Sequence, residues 1–286
     1  MSEDRVTPSA ADRIAAAAGR LSAVVEAEGA RVASLRWADP RGGAERELLL
    51  RTPWAEEPDG PWSMPVSSHE WHRRYRGGWH VVLPRSGDPA TIDGVEQPFH
   101  GEAAWRVWRL TAAPGGCDAT VLLRTVPLRL VRRLRLDGST IRVTQDVINE
   151  GPGPVAFGWL EHPALDGALL DGATIRLGDT DPVDVVKAPR TSFADVDGAQ
   201  GVCALSVPAL DATITMHWDG ALFPRAHLWQ ERRGTTGFPW WGGVDAVGVE
   251  PSSDPFRPST DRLGSLVVEP GETLTATVEI SVAPTA

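Results

Sequence analysis

Leu128-Arg-Leu-Val-Arg-Arg-Leu-Arg-Leu136, Asp137-Gly-Ser139 and Thr140-Ile-Arg-Val-Thr-Gln-Asp-Val-Ile148 follow one another without a break. Apolar and polar residues alternate on both sides, the period of a half-buried strand. An Asp-Gly pair between two such runs marks a tight hairpin, because glycine supplies the backbone that the turn needs. Arg129, Arg132, Arg133, Arg135 and Arg142 are expected on the solvated face of this hairpin. Strands with the same period flank it. Upstream they are Ser22–Ala27, Arg31–Trp37, Glu45–Arg51, Gly78–Leu83, Trp105–Thr111 and Ala119–Thr125. Downstream come Thr174–Leu177, Val183–Val186, Val202–Val207, Ala212–Trp218, Ala226–Gln230, Ala246–Glu250, Leu263–Val268 and Thr273–Val282. Gly, Pro or Asp punctuates nearly every gap, and many short strands with regular turns predict an all-β sandwich or barrel. One domain over residues 21–286 is the simplest organisation. Residues 1–20 read as a tail or short helix, centred on the Ala-rich run Ala10–Arg20. Residues 52–77, with Trp54, Trp62 and Trp71 among several prolines, read as a long loop, a length that is usually functional.

Composition narrows the function classes. The 286 residues carry a net charge of −10 and 42% hydrophobic residues. An acidic chain of this kind lacks the basic surface that nucleic-acid binding needs. No apolar run approaches the roughly 20 residues of a membrane helix. The acidic opening Met1-Ser-Glu-Asp-Arg has no apolar segment behind it, so no secretory signal is expected. Cys117 and Cys203 are far apart, which fits a reduced, cytoplasmic protein better than a disulfide framework. His69 and His72 lack a completing ligand pattern, so no metal is expected. Lys187 is the sole lysine and sits in a polar stretch unsuited to Schiff-base chemistry. No Gly-x-Ser-x-Gly elbow, P-loop or dinucleotide loop is present.

Three stretches carry titratable residues at the edges of apolar runs. The central one is Phe157-Gly-Trp-Leu-Glu-His-Pro-Ala-Leu165, an apolar strand expected to end at Pro163, since proline cannot donate to a ladder. That ending would leave His162 at a strand mouth. A lone histidine there is more often structural than catalytic. The other two stretches are Phe99-His-Gly-Glu102 and Val247-Gly-Val-Glu-Pro-Ser252. Together they offer His100, His162 and Glu250, enough for paired acid–base chemistry. Asp245 lies five residues before Glu250 and so should point to the other face of the same strand. The run Arg232–Gly243, with Trp240 and Trp241, could wall a pocket, and aromatic faces suit the C–H faces of sugars.

The order of these pieces resembles the galactose mutarotase (aldose 1-epimerase) superfamily over roughly residues 22–283. The resemblance rests on Gly29-Ala-Arg-Val-Ala-Ser-Leu35, Leu83-Pro-Arg-Ser-Gly87, Asp93-Gly94 and His100-Gly101. It continues through Val147-Ile-Asn-Glu-Gly151, the His162-Pro163 strand, Val249-Glu-Pro-Ser252 and Pro270-Gly-Glu-Thr273. It implies an antiparallel β-supersandwich with a sugar cleft on one face. It further implies Glu250 as general base, His162 as general acid, and His100 as a ligand near the sugar's ring oxygen. Arg85 is a looser match to the family's sugar-binding arginine, and Trp229 and Trp241 would stack on the sugar. Pro84-Arg-Ser86 stands where Asn-Arg is usual, and His162 is followed by proline in place of the usual asparagine-histidine context. Both departures point away from galactose itself.

The activity implied is interconversion of α and β anomers of an aldose by ring opening, with no cofactor. Glu250 would be ionised and His162 protonated in the active state. The alternatives are a hexose-6-phosphate 1-epimerase using Arg73, Arg74, Arg76 and Arg85, a non-catalytic carbohydrate-binding module, and another sugar reaction on the same fold. The expected partner is a small sugar or sugar phosphate, not nucleic acid or membrane, and the expected state is a monomer or homodimer.

Overall fold

The computed structural model describes residues 12–59 and 62–285. The hairpin forms as read: Leu128–Asp137 pairs antiparallel with Thr140–Asn149, and Asp137 stands opposite Thr140. It lies inside a nine-stranded sheet in which Thr140–Asn149 pairs with Thr273–Pro284 and Leu128–Asp137 with Gly116–Leu122. A second nine-stranded sheet packs against it. Its order is Arg13–Ala18, Leu21–Glu26, Val32–Trp37, Trp79–Val82, Leu160–Asp166, Asp245–Ser252, Arg225–Arg232 and Arg190–Asp197, with Arg46–Glu47 joined to Val32–Trp37. Strands such as Leu21–Glu26, Leu128–Asp137 and Thr140–Asn149 bury alternate residues between the two sheets. Leu130, Leu134 and Val143 from one sheet share a cluster with Leu228, Val247 and Val249 from the other. The architecture is all-β, as the strand pattern implied, and is the antiparallel supersandwich that the resemblance implied.

Four of the five hairpin arginines lie on the outer face, where Arg129, Arg133, Arg135 and Arg142 pair with Glu150, Asp146, Asp118 and Glu279. Arg132 does not. It shares the parity of Leu130 and Leu134, so its side chain enters the sandwich. There it meets Glu161 of the other sheet in a two-pronged pair, Nη1 to Oε1 at 2.7 Å and Nη2 to Oε2 at 2.8 Å. The indole N–H groups of Trp79 and Trp159 donate to the same carboxylate at 2.6 and 3.0 Å. A buried charge pair is tolerable only when its remaining lone pairs are satisfied in this way. The pair also fixes a direction. With Glu161 turned into the sandwich, His162 must point to the opposite face of its sheet.

Three expectations need correction. Arg13–Ala18 is a strand, paired residue for residue with Leu21–Glu26, not a helix or tail. Pairing with an adjacent strand edge outweighs the high intrinsic helix propensity of alanine, as tertiary context routinely does. Residues 1–11 lie outside the described residues. The loop at 52–77 contains a helix, Ser67–Arg74. Its N-cap position is Val66, which makes no side-chain capping bond. Glu70 in the first turn accepts from Met64 N–H at 2.9 Å, and Ser67 Oγ accepts from Phe99 N–H at 3.0 Å, so both side chains tie the helix to the segments beside it. Finally, Pro163 does not end its strand, which runs from Leu160 to Asp166. Residues 162 and 163 stay paired with His80 and Trp79 on one side. On the other side, pairing lapses between Leu160–Ser252 and Ala164–Gly248. Pro163 and, on the facing strand, Pro251 both fall in that gap, so neither missing N–H breaks a bond that the sheet needs.

Candidate active site

The register gap places the site. Counting inward from the pairs Leu160–Ser252 and Ala164–Gly248 sets His162 directly opposite Glu250. Glu250 is also directly opposite His227 on the next strand, His227 is opposite Asp195, and His162 is opposite His80. Side chains at directly opposed positions share one face of a sheet. One row across five neighbouring strands therefore reads His80, His162, Glu250, His227, Asp195. In its middle, His162 Nε2 is 3.4 Å from Glu250 Oε1. Gly248, two residues before Glu250 on the same face, makes room for this carboxyl. A Cβ there would lie 2.7 Å from Glu250 Oε1.

A cleft of about 710 Å³ opens over this row. Helix Ser67–Arg74 and the residue after it bring Trp71, His72 and Tyr75 to one wall. Trp229 and Trp240 supply another wall, with ring centroids 6.4 Å apart. The Trp229 ring stands 5.6 Å from His162, edge to face, and the Tyr75 ring stands 6.2 Å from it. His100 is 5.8 Å from His162, held in a left-handed backbone conformation with its Nδ1 accepting from Gly87 N–H at 3.3 Å. The far end of the cleft is rimmed by Phe193, Phe256 and Arg257.

The structure thus brings Glu250, His162, His100, Trp229 and Arg85 to one cleft. Arg85 nonetheless has an anchoring task, because its Nη1 donates to the carbonyls of Ser259 and Arg262 at 2.5 and 3.1 Å and fastens the loop that borders the cleft. Trp241 is not brought to the cleft. It is 72% exposed, and its neighbour Trp240, 7% exposed, lines the wall instead. The tight turn from Gly237, whose carbonyl accepts from Trp241 N–H at 2.8 Å, sends consecutive residues to opposite sides. Asp245 is turned away from Glu250, as its parity required, and pairs with Arg232 at 2.5 Å. Arg73, Arg74 and Arg76 are engaged with Glu70, Glu28 and Asp59. Among the described residues, no cluster of His, Cys, Asp or Glu has the geometry of a metal site.

Burial dominates the electrostatics. It pushes Glu250 up to about 8 and His162 down to about 4, and it holds His80 and His100 well below the usual histidine range. At neutral pH the Glu250–His162 pair therefore holds one proton, resting on the carboxyl. This reverses the resting state expected from the sequence, with an ionised glutamate and a charged histidine. A buried site penalises both charges and stabilises the neutral tautomer.

His80, His227, Asp195 and Tyr75 were missed from the sequence, whereas Trp240 lay in the run expected to wall a pocket, although Trp241 was the ring chosen for the sugar. His227 was legible, because it shares strand parity with Trp229. Asp195 was not, since its strand, Arg190–Asp197, is polar and mostly exposed and carries no apolar alternation.

Two packed, antiparallel nine-stranded sheets define a class of architecture: the chain has the galactose mutarotase-like fold. No family model matches the sequence, and no curated protein sequence matches it. Solved structures do match in fold. The Slr1438 protein of Synechocystis sp. PCC 6803 is 17% identical, with 99% of each chain covered and a TM-score of 0.71. The galactose mutarotase related enzyme of Lactobacillus acidophilus is 13% identical, with 96% of this chain and 98% of that one covered and a TM-score of 0.66. A galactose mutarotase-like protein of Lactobacillus casei is 15% identical, with 95% and 100% covered and a TM-score of 0.63. Among the described residues, no helix is long and apolar enough to cross a membrane.

Proposed function

We propose that this chain is an aldose 1-epimerase acting on an unphosphorylated aldose. The observation that carries the reading is the Glu250–His162 pair, 3.4 Å apart under a tryptophan-walled cleft. Mutarotation needs one proton removed from the anomeric hydroxyl and one delivered to the ring oxygen. Both oxygens sit on one carbon, so two groups this close can serve them together. In ring opening, a Glu250 carboxylate takes the hydroxyl proton while protonated His162 gives its own to the ring oxygen. The pair then holds Glu250 as the acid and His162 neutral. The C1–C2 bond rotates, and closing on the other face runs the transfers backwards. The pair carries one proton throughout, in one tautomer or the other. The neutral tautomer that burial favours at rest is the one facing the open-chain sugar. Each partner contributes roughly 10²–10⁴-fold as an acid or base.

His100 is assigned to the ring-oxygen side, and Trp229 and Trp240 to the sugar faces. The engagement of Arg73, Arg74 and Arg76 in ion pairs supports a neutral sugar over a phosphorylated one. The test is polarimetry on freshly dissolved α-glucose, α-galactose and glucose 6-phosphate, with wild type and Glu250→Gln. Acceleration with an unphosphorylated sugar, lost in the variant, is the expected result. Equal rates with and without folded protein, for every sugar, would move the reading to a binding module.

A further inference from the structure

Two residues along from the row that carries His162 and Glu250 lies a second row on the same face. Ala164 is directly opposite Gly248, Gly248 opposite Trp229, and Trp229 opposite Phe193. Residues two apart on a strand share a face, so both rows look into the cleft. A Cβ on Gly248 would lie 3.3 Å from the Trp229 ring, so that ring leans inward over Gly248, toward the acid–base pair. Phe193, on the strand that ends the sheet, closes the row on its outer side. Neighbouring strands lie about 4.8 Å apart, so Phe193, two strands from Glu250, is roughly 10 Å from it across the sheet. A pyranose with its anomeric carbon at Glu250 and His162 ends short of that distance. A second ring joined to it reaches.

Phe193 has no packing task in the sandwich. It is 39% exposed and Phe256 is 46% exposed, and neither belongs to a buried apolar cluster. Val196, on the other face of the same strand, packs on the core instead. The two phenyls meet each other at the cleft rim, with ring centroids 4.1 Å apart. Their arrangement is fixed by hydrogen bonds. Asp195, two residues along from Phe193, accepts from Phe256 N–H at 3.1 Å and from Arg225 Nε at 2.9 Å. Arg85 holds the same loop further on, at the carbonyls of Ser259 and Arg262. A platform fixed in advance lowers the ordering cost of binding. Arg257, Asp88 and Thr260 line the same cleft. Together they offer donors and acceptors for sugar hydroxyls, whereas the Asp88 carboxylate would repel a phosphate. The cleft volume of about 710 Å³ lies well inside the roughly 300–1,000 Å³ of sites that hold drug-sized molecules. One pyranose fills only part of it.

We propose that the cleft has a second sugar subsite, with Phe193 and Phe256 as its platform, and that the substrate is a reducing disaccharide or a longer glycan. The reducing ring sits at Glu250 and His162, and the next ring lays its C–H face on the phenyls. The direction of the glycan rests on the epimerase reading. The anomeric hydroxyl must be free at the acid–base pair, so the second sugar is joined through a different hydroxyl of the first.

The test is isothermal titration calorimetry of the full-length protein with glucose, maltose, isomaltose, cellobiose and lactose. Each of these disaccharides ends in a reducing glucose, so glucose is the common reference. At least one is expected to bind about tenfold tighter than glucose, the size of effect that one stacked aromatic ring supplies. That gain should vanish in Phe193→Ala and in Phe256→Ala and survive in Phe193→Tyr, which keeps the ring. Both phenyls are exposed, so the alanine variants leave the core intact, and circular dichroism checks their fold. No disaccharide binding tighter than glucose, or a gain that persists in both alanine variants, would overturn the subsite. Binding needs no turnover, so the two readings fail separately. A gain that depends on Phe193, with no mutarotation of any sugar, would sink the epimerase reading and leave the subsite standing. Where mutarotation is measured, the kcat/KM ratio of the tighter disaccharide to glucose is expected to fall about tenfold in Phe193→Ala. An equal fall for both sugars would place the phenyls at the first ring and overturn the second subsite.

Discussion

Glu250→Gln should stabilise the protein, and by an amount that depends on pH. Burial raises the folded-state pKa of Glu250 from 4.5 to about 8. Between those values the folded chain keeps a proton that the unfolded chain has released. Stability therefore falls as pH rises through this window, by about 1.4 kcal/mol per pH unit. Gln is isosteric and cannot titrate, so the variant escapes this loss. His162 titrates in both proteins and cancels to first order. The variant should match wild type near pH 4 and exceed it by about 3 kcal/mol at pH 7, since 2.5 units lie between 4.5 and 7. Above pH 8 the gain should level off near 5 kcal/mol. For a chain of this size, 1 kcal/mol corresponds to roughly 2 °C in Tm, so the variant should melt about 6 °C higher at pH 7. Urea denaturation of both proteins at pH 4, 5, 6, 7 and 8 measures the difference directly. Two parallel stability curves, or a variant less stable at pH 7 than at pH 4 relative to wild type, would refute the claim that Glu250 is held neutral by burial. A more stable but inactive protein is the usual signature of a site that trades stability for chemistry.

Other outcomes follow from the same coordinates. Arg132→Met leaves Glu161 buried without its ion-pair partner and should destabilise by about 3–5 kcal/mol in urea titration; a loss under 1 kcal/mol would mean that solvent reaches the pair. Gly248→Ala puts a methyl against the Glu250 carboxyl and should cut kcat while leaving the folded circular dichroism spectrum intact; unchanged turnover would show that the carboxyl does not need that space. Trp240→Ala should raise KM by about tenfold, in line with an aromatic stacking contribution of about 1.5 kcal/mol, while Trp241→Ala should leave KM alone. A larger effect at Trp241 would return that residue to the site.

The strand pattern made most of the fold legible. The Leu128–Ile148 hairpin needed only period-two alternation and an Asp-Gly turn, and the structure reproduces it within one residue at either end. Arg13–Ala18 was illegible because six residues of arginine, isoleucine and alanine suit a helix as well as an edge strand. Only the neighbouring strand decides between them. The strand containing Pro163 shows a further limit. A proline normally argues against a paired position, but here the sheet opens its ladder around Pro163 and Pro251 together. That gap lies where His162 and Glu250 face each other, a relation that no local pattern contains. Trp240 and Trp241 could not be told apart by residue type, because a single turn decided which ring faces the cleft. The reversed resting state of Glu250 and His162 is also a property of burial, and burial belongs to the folded molecule.

The measurement closest to the central claim is the pH dependence of kcat/KM for sugar mutarotation by wild type between pH 3 and 10. A pair that must carry one proton loses its base below the pKa of His162, about 4, and its acid above that of Glu250, about 8. The account predicts a bell with limbs near those values, His162 governing the acid side and Glu250 the alkaline side. A flat profile across that range, or an alkaline limb that persists unchanged in Glu250→Gln, would contradict it.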